Sequence, residues 1–188
     1  MTVETRAKVI RVSFGAKDPK GAQKLFEQAD EIDLDPKAYE QAEELYRRAL
    51  RLDPSHTSAR TNLGNVRYRR GDVAEAVRHW QDSACIDPMQ PEPYYNMGVV
   101  RLENGDLSGA ILFFRNAIRI LPRNESELEA AIHYNLASAL DESGDVEAAR
   151  IHWQKHLDLT PDSEWAERAR AFLADTSRLT LIRGGKGP

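Results

Sequence analysis

His152 and His156 stand four residues apart in a stretch of helical periodicity. That spacing would set both imidazoles on one helix face, as a zinc site requires. No carboxylate or thiolate at diagnostic spacing completes a ligand set, so they are read as a surface or half-buried pair without metal. Cys85 is the only cysteine; it follows Ala84 on a packing helix with no histidine at diagnostic spacing, and buried filler is expected of it. Arg183-Gly184-Gly185-Lys186-Gly187 follows no strand–helix unit and so lacks the helix N-terminus that cradles phosphate. No nucleophile elbow is present, and the chain predicts neither catalysis nor a cofactor. The residues with the most chemical meaning are amides. Asn62, Asn96 and Asn135 each precede a large apolar residue followed by a small one, Leu63-Gly64, Met97-Gly98 and Leu136-Ala137. An asparagine offers both a donor and an acceptor, so it can pair with a peptide unit whatever side chain that unit carries.

The asparagines recur because the chain repeats. Thr57–Gln90 and Pro91–Asn124 have equal length, and Pro54, Pro88 and Pro122 hold a period of 34 residues. Within each stretch the small residues fall in register: Gly64, Gly71 and Ala76 in the first, Gly98, Gly105 and Ala110 in the second. Trp80 and Phe114 match in the same way, as do Ser83 and Ala117. Gly71-Asp72 and Gly105-Asp106 predict the turn of a helical hairpin, glycine ending one helix and aspartate capping the next. Glu75 would complete a capping box with Asp72. A unit at 130–163 keeps the pattern with Gly144-Asp145, Ala149, Trp153 and Pro161. It follows a five-residue excess, Glu125–Glu129, read as an extension of its first helix. A leading unit at 23–56 lacks the turn glycine and uses Asp35-Pro36 to restart its second helix. Asp18-Pro19 predicts an earlier helix start, and 163–174 a final amphipathic helix that covers the open end. A fixed period of this size implies stacked hairpins, none able to bury its apolar face alone.

Residues 1–17 do not follow the pattern. Val9–Phe14 is β-branched and aromatic, fitting either a short strand or a flexible arm, and residues 175–188 are expected to form a flexible tail. Hydrophobic residues make up 41% of the chain and charged ones 30%, for a net charge of −4. The ends are basic: residues 1–20 carry five Lys/Arg against two Asp/Glu. The body is therefore acidic, which argues against nucleic acid, whose phosphates need a basic stripe. No apolar run approaches a membrane span, and the N-terminus lacks the features of a secretory signal. With a single cysteine a reducing compartment fits, and the protein is expected in the cytoplasm.

The spaced residues Asn62-Leu63-Gly64, Gly71-Asp72, Ala76, Trp80 and Pro88, repeated in the later units, resemble tetratricopeptide repeats over residues 23–163. The resemblance implies an all-α, right-handed superhelical solenoid of about four helix-turn-helix units, with Tyr46, Trp80, Phe114 and Trp153 in its core. It also implies a concave groove, lined by the first helix of each unit, that binds a protein or peptide partner. Mapped by position, the groove includes Thr61, Asn62, Asn65, Arg69, Tyr95, Asn96, Val99, Tyr134, Asn135 and Ser138. In some members of the family asparagines in register hold a peptide backbone; in others an asparagine here braces neighbouring helices, and both readings stand. Tyr95, Val99 and Tyr134 would select apolar side chains, and Arg69, Glu103, Asp141 and Glu142 would set charge preference. Members that bind the acidic tails of heat-shock chaperones carry lysine and arginine at set groove positions. Here those positions read Thr61, Asn65, Asn96, Ala131 and Asn135, or Glu27, Glu31, Asn62, Glu92 and Asn96 in the preceding register, so no such binding is expected. The leading expectation is a non-enzymatic interaction scaffold. The alternative is a self-associating module whose strand-prone ends pair two chains as a homodimer.

Overall fold

The computed structural model describes residues 17–123 and 126–175. Among them are nine helices and no strands: α1 (Pro19–Asp30), α2 (Tyr39–Leu52), α3 (Thr57–Arg69), α4 (Val73–Ile86), α5 (Pro91–Glu103), α6 (Leu107–Ile120), α7 (Ser126–Glu142), α8 (Val146–Leu159) and α9 (Ala166–Ala174). Each helix packs against the next, and the pairs α1–α2, α3–α4, α5–α6 and α7–α8 form the tightest hairpins. The result is an all-α helical repeat solenoid. The suggested strand at Val9–Phe14 and residues 176–188 of the expected tail lie outside the described residues. No helix among the described residues is long and apolar enough to cross a membrane.

The turns obey the sequence logic closely. Gly71, Gly105 and Gly144 have φ of 89°, 75° and 86°, a conformation that a Cβ disfavours. Each is followed by a backbone bond that closes the preceding helix: Asp72 N–H to Arg67 O, Asp106 N–H to Arg101 O and Asp145 N–H to Leu140 O, all 2.9 Å. This is the six-residue closure of a Schellman end. Asp18, Asp106 and Asp145 then cap α1, α6 and α8 through Oδ1. Asp72 departs from expectation. Its carboxylate makes no cap bond; Arg67 Nη1 holds it at 2.7 Å, and Glu75 pairs with Arg78. An ion pair has displaced the capping box. A second departure lies at Asp35-Pro36, where α2 was expected to restart. Asp35 Oδ1 instead accepts from Lys37 N–H at 2.9 Å. That local turn competes with helix, and α2 begins at Tyr39.

The hairpins close on small residues. A Cβ on Gly64 would meet the Trp80 ring at 2.6 Å, and one on Gly98 would meet Phe114 at 2.6 Å. Tyr46, Phe114 and Trp153 are fully buried and Trp80 is 2% exposed. The core falls into three clusters, centred on α1–α3, on α4–α5 and on α6–α9. Between α2 and α3 an ionic seam adds to this packing: buried Glu43 is held by Arg47, Arg67 and Arg70. α7 runs 17 residues against 13 for α5. At 1.5 Å per residue the extra turn adds about 6 Å to the last hairpin, and it contains residues 126–129 of the sequence excess.

Candidate functional site

The asparagines are tied into the scaffold. Asn62 Nδ2 donates to Asp30 Oδ1 at 2.9 Å and to the Tyr46 hydroxyl at 3.3 Å, and that hydroxyl donates to Asp33 Oδ2 at 2.8 Å. Asn62 Oδ1 accepts from Asn65 Nδ2 at 3.3 Å. Asn65 Oδ1 in turn accepts from Trp80 Nε1 at 3.0 Å and from Asn96 Nδ2 at 2.8 Å. An unbroken chain of hydrogen bonds therefore runs from α1 and α2 through α3 to α4 and α5. Farther along, Asn135 Nδ2 donates to the Tyr95 hydroxyl at 3.0 Å, joining α7 to α5. Burial lifts the pKa of both Tyr46 and Tyr95, so both hydroxyls stay neutral donors and acceptors. Bracing between helices is thus a role these amides do perform. Asn96 and Asn135 differ from Asn62 and Asn65 in one respect, since the Oδ1 of each makes no hydrogen bond among the described residues.

Next to Asn96 a cleft of about 290 Å³ opens between α3 and α5, lined by Asn65, Tyr68, Arg69, Trp80, Tyr95, Asn96 and Val99. Five of the residues mapped to the groove meet here. Tyr68 and the Trp80 ring edge join them and were not expected in the groove. Arg69 is already engaged, donating to Asp33 O at 2.9 Å and pairing with the Asp33 carboxylate at 3.5 Å. Burial raises the pKa of that carboxylate, against the pull of Tyr46 and Arg69. The Tyr68 hydroxyl donates to Glu103 Oε1 at 2.5 Å, and burial together with Glu103 pushes its pKa up to about 12. Thr61 does not open to the cleft. It is 2% exposed and bonded to Ser83 and Gln90.

Tyr134 and Ser138 lie under the last helix. Tyr134 meets Trp153 edge-on at 5.1 Å and Trp165 at 5.5 Å, with the Arg168 guanidinium 5.7 Å from its ring centre. Ser138 Oγ accepts from Arg168 at 2.9 Å and donates to Glu142 at 3.3 Å. A second cavity of about 370 Å³ borders this region, lined by Asp141, Trp153, Arg168, Ala171, Phe172 and Asp175. A pairing rule emerges across units. Asn65 faces the N–H of Trp80, and at the equivalent places Val99 accompanies Phe114, which has no N–H to satisfy. Ser138, engaged with Arg168, leaves Trp153 Nε1 buried without a partner.

The histidines rearrange the expected pair. His152 meets His133 of α7, not His156: their Nδ1 atoms are 2.8 Å apart and the rings stack at 5.0 Å. His156 is 1% exposed, its Nδ1 on Ala130 O at 3.0 Å and its Nε2 near Ser163 Oγ at 3.3 Å. It fills a packing position against Ala130 and Tyr134 of α7 and Ser163 beyond α8, whereas His152 sits one turn earlier beside His133 of α7. Burial lowers the pKa of both His133 and His152 to about 4. Among the described residues no three His, Cys, Asp or Glu gather to hold a metal. Cys85, expected as buried filler, is exposed. It follows Ala84 by one residue, a rotation of about 100° that carries it off the packing face.

Two family models described as tetratricopeptide repeat match residues 38–93 and 130–155. No curated protein sequence matches the chain. Among solved structures, a chain of the APC/C hetero-tetramer Cut9–Hcn1 is similar at a TM-score of 0.70 and 22% identity, over 91% of this chain and 32% of that one. The chain thus spans about a third of that relative. The first TPR of Spaghetti (RPAP3) bound to the HSP90 peptide SRMEEVD is similar at a TM-score of 0.57 and 17% identity, over 67% of this chain and 95% of that one. The Yersinia enterocolitica type III secretion chaperone SycD, in complex with a peptide of the translocator YopD, is similar at 0.59 and 18%, over 67% and 97%. With the 34-residue register and the glycine-closed hairpins beside these matches, the chain is a tetratricopeptide repeat protein over the matched residues 38–93 and 130–155.

Proposed function

We propose that the chain is a non-enzymatic interaction scaffold, acting in the cytoplasm, that binds an extended peptide or a partner helix on the face formed by α1, α3, α5 and α7. The observation that carries this reading is the cleft between α3 and α5. There the open Asn96 Oδ1 stands beside the apolar surfaces of Tyr95 and Val99. A peptide N–H can donate to that oxygen while a side chain enters the cleft. The asparagine array contributes mostly by holding the cleft in shape. The Spaghetti domain and SycD each hold a peptide, which supports the same mode of action here.

A Val99→Arg variant tests the reading, because a long side chain there fills the cleft without touching the asparagine bonds. Partners captured from native lysate by the wild-type chain should be lost by Val99→Arg and kept by Leu112→Arg, a change at an exposed site on α6. Equal capture by both variants would move the binding surface elsewhere. Alanine at Asn62, Asn96 and Asn135 is a poorer test, since those side chains brace the fold.

A further inference from the structure

We infer that the cleft between α3 and α5 selects a cationic side chain, so that the partner segment is basic; this rests on the reading of that face as the binding surface. Three carboxylates along the face hold only neutral donors. Asp30 of α1 accepts from Asn62, Glu103 of α5 from the Tyr68 hydroxyl and Glu142 of α7 from Ser138. Among the described residues no arginine, lysine or histidine nitrogen lies within 4.0 Å of these three. Elsewhere Glu43, Asp72 and Asp106 each hold an arginine. The one arginine that lines the cleft, Arg69, is already matched by Asp33.

The cleft therefore presents aromatic walls and, bonded to its Tyr68, the Glu103 carboxylate with no cation on it. A guanidinium or ammonium ion is attracted by both: by the ring faces of Tyr68 and Tyr95 and by the Glu103 carboxylate. The aliphatic stem of arginine or lysine would lie against Val99, as such stems do on apolar surface. An acidic side chain would meet Glu103 and find Arg69 occupied. Charge complementarity of this kind fixes partner choice more than raw affinity.

The test is a titration of the full chain, followed by backbone amide NMR, with three amidated heptapeptides that differ only at two positions flanking a central leucine. One carries arginine there, one glutamine and one glutamate. The arginine peptide should move the amides of Tyr68, Tyr95, Val99 and Glu103 and bind at least about fivefold more tightly than the glutamine peptide at low salt. Glu103→Gln, which keeps an acceptor for the Tyr68 hydroxyl, should remove most of that preference, as should about 0.5 M salt. Equal binding of arginine and glutamine peptides at these amides would overturn the charge preference and leave the binding face intact. Shifts confined to amides outside α1, α3, α5 and α7 would overturn both.

Discussion

At the scale of single residues, Asn65 explains most about the site. Its one side chain accepts from Trp80 and Asn96 and donates to Asn62, so three helices meet at one amide. Removing it leaves the Trp80 N–H with only Thr61 O at 3.2 Å and frees Asn96 to turn into the cleft. Asn65→Ala should cost about 1–3 kcal/mol in urea unfolding, the usual penalty for stranding buried polar partners. It should also shift the fluorescence of Trp80, read in a background with Trp153 and Trp165 replaced by phenylalanine. An unchanged midpoint would mean that water takes over those bonds and that the amide chain is not structural. None of this web was legible in the sequence. The recurrence of asparagine before a large apolar residue and a small one showed where amides would stand, and the donor–acceptor argument showed what they could do. Which partner each would choose depends on distances between helices, and those are set by residues far away in the chain. Val99 opposite Phe114 and Asn65 opposite Trp80 form a pattern that could have been seen by reading the two positions together, since only tryptophan brings a donor.

Among the elements, the hairpin of α7 and α8 has a chemistry of its own. His133 and His152 stack across it. Arg115 of α6 and Lys155 of α8 add positive charge nearby, and Glu129 of α7 lies 3.9 Å from His133 Nε2. With both rings neutral, one Nδ1 donates to the other. Folding lowers each pKa from 6.5 to about 4, so in that window the unfolded chain binds more protons than the folded one. Stability is therefore fully present above pH 6.5 and is lost as pH falls toward about 4. Allowing for partial solvent access, the loss should be about 1–3 kcal/mol between neutral pH and about pH 5. Urea midpoints across that range should show it, and a His133→Leu, His152→Leu double variant should flatten the slope. A slope that survives the double variant would assign the effect to other groups. The sequence pointed to His152 but paired it with His156, because spacing along one helix is visible in a sequence and contact between two helices is not. The hairpins themselves were legible for a simple reason: glycine at a left-handed turn and an aromatic opposite a glycine are local demands that recur with every unit. α2 was misplaced by three residues because Asp35 can satisfy a backbone N–H in a turn as readily as at a helix cap.

The whole molecule is a one-dimensional stack, and its stability should follow that geometry. Each hairpin touches only its neighbours, so loss of packing at one end ought to stay near that end. The C-terminal end depends on α9, where Phe172 packs on Trp153 at 5.9 Å and Ala166 and Ala169 are fully buried. Without that cover Trp153 and Tyr134 would face water, and their burial is what fixes the last unit against α6. Phe172→Ala removes the largest apolar contact of α9 at a cost of about 3 kcal/mol, the lower part of the range for a buried phenylalanine. Hydrogen exchange should then show protection falling in α7, α8 and α9 while α1, α2 and α3 keep theirs, because α3 and α7 share no cluster. Equal loss across all helices would mean that the amide chain from α1 to α5 and the Asn135–Tyr95 bond couple the stack into a single cooperative unit. The cleft between α3 and α5 lies at the middle of that chain. If the loss stays local, Phe172→Ala should leave peptide binding at the cleft unchanged, which separates the part of the solenoid that binds from the part that seals it.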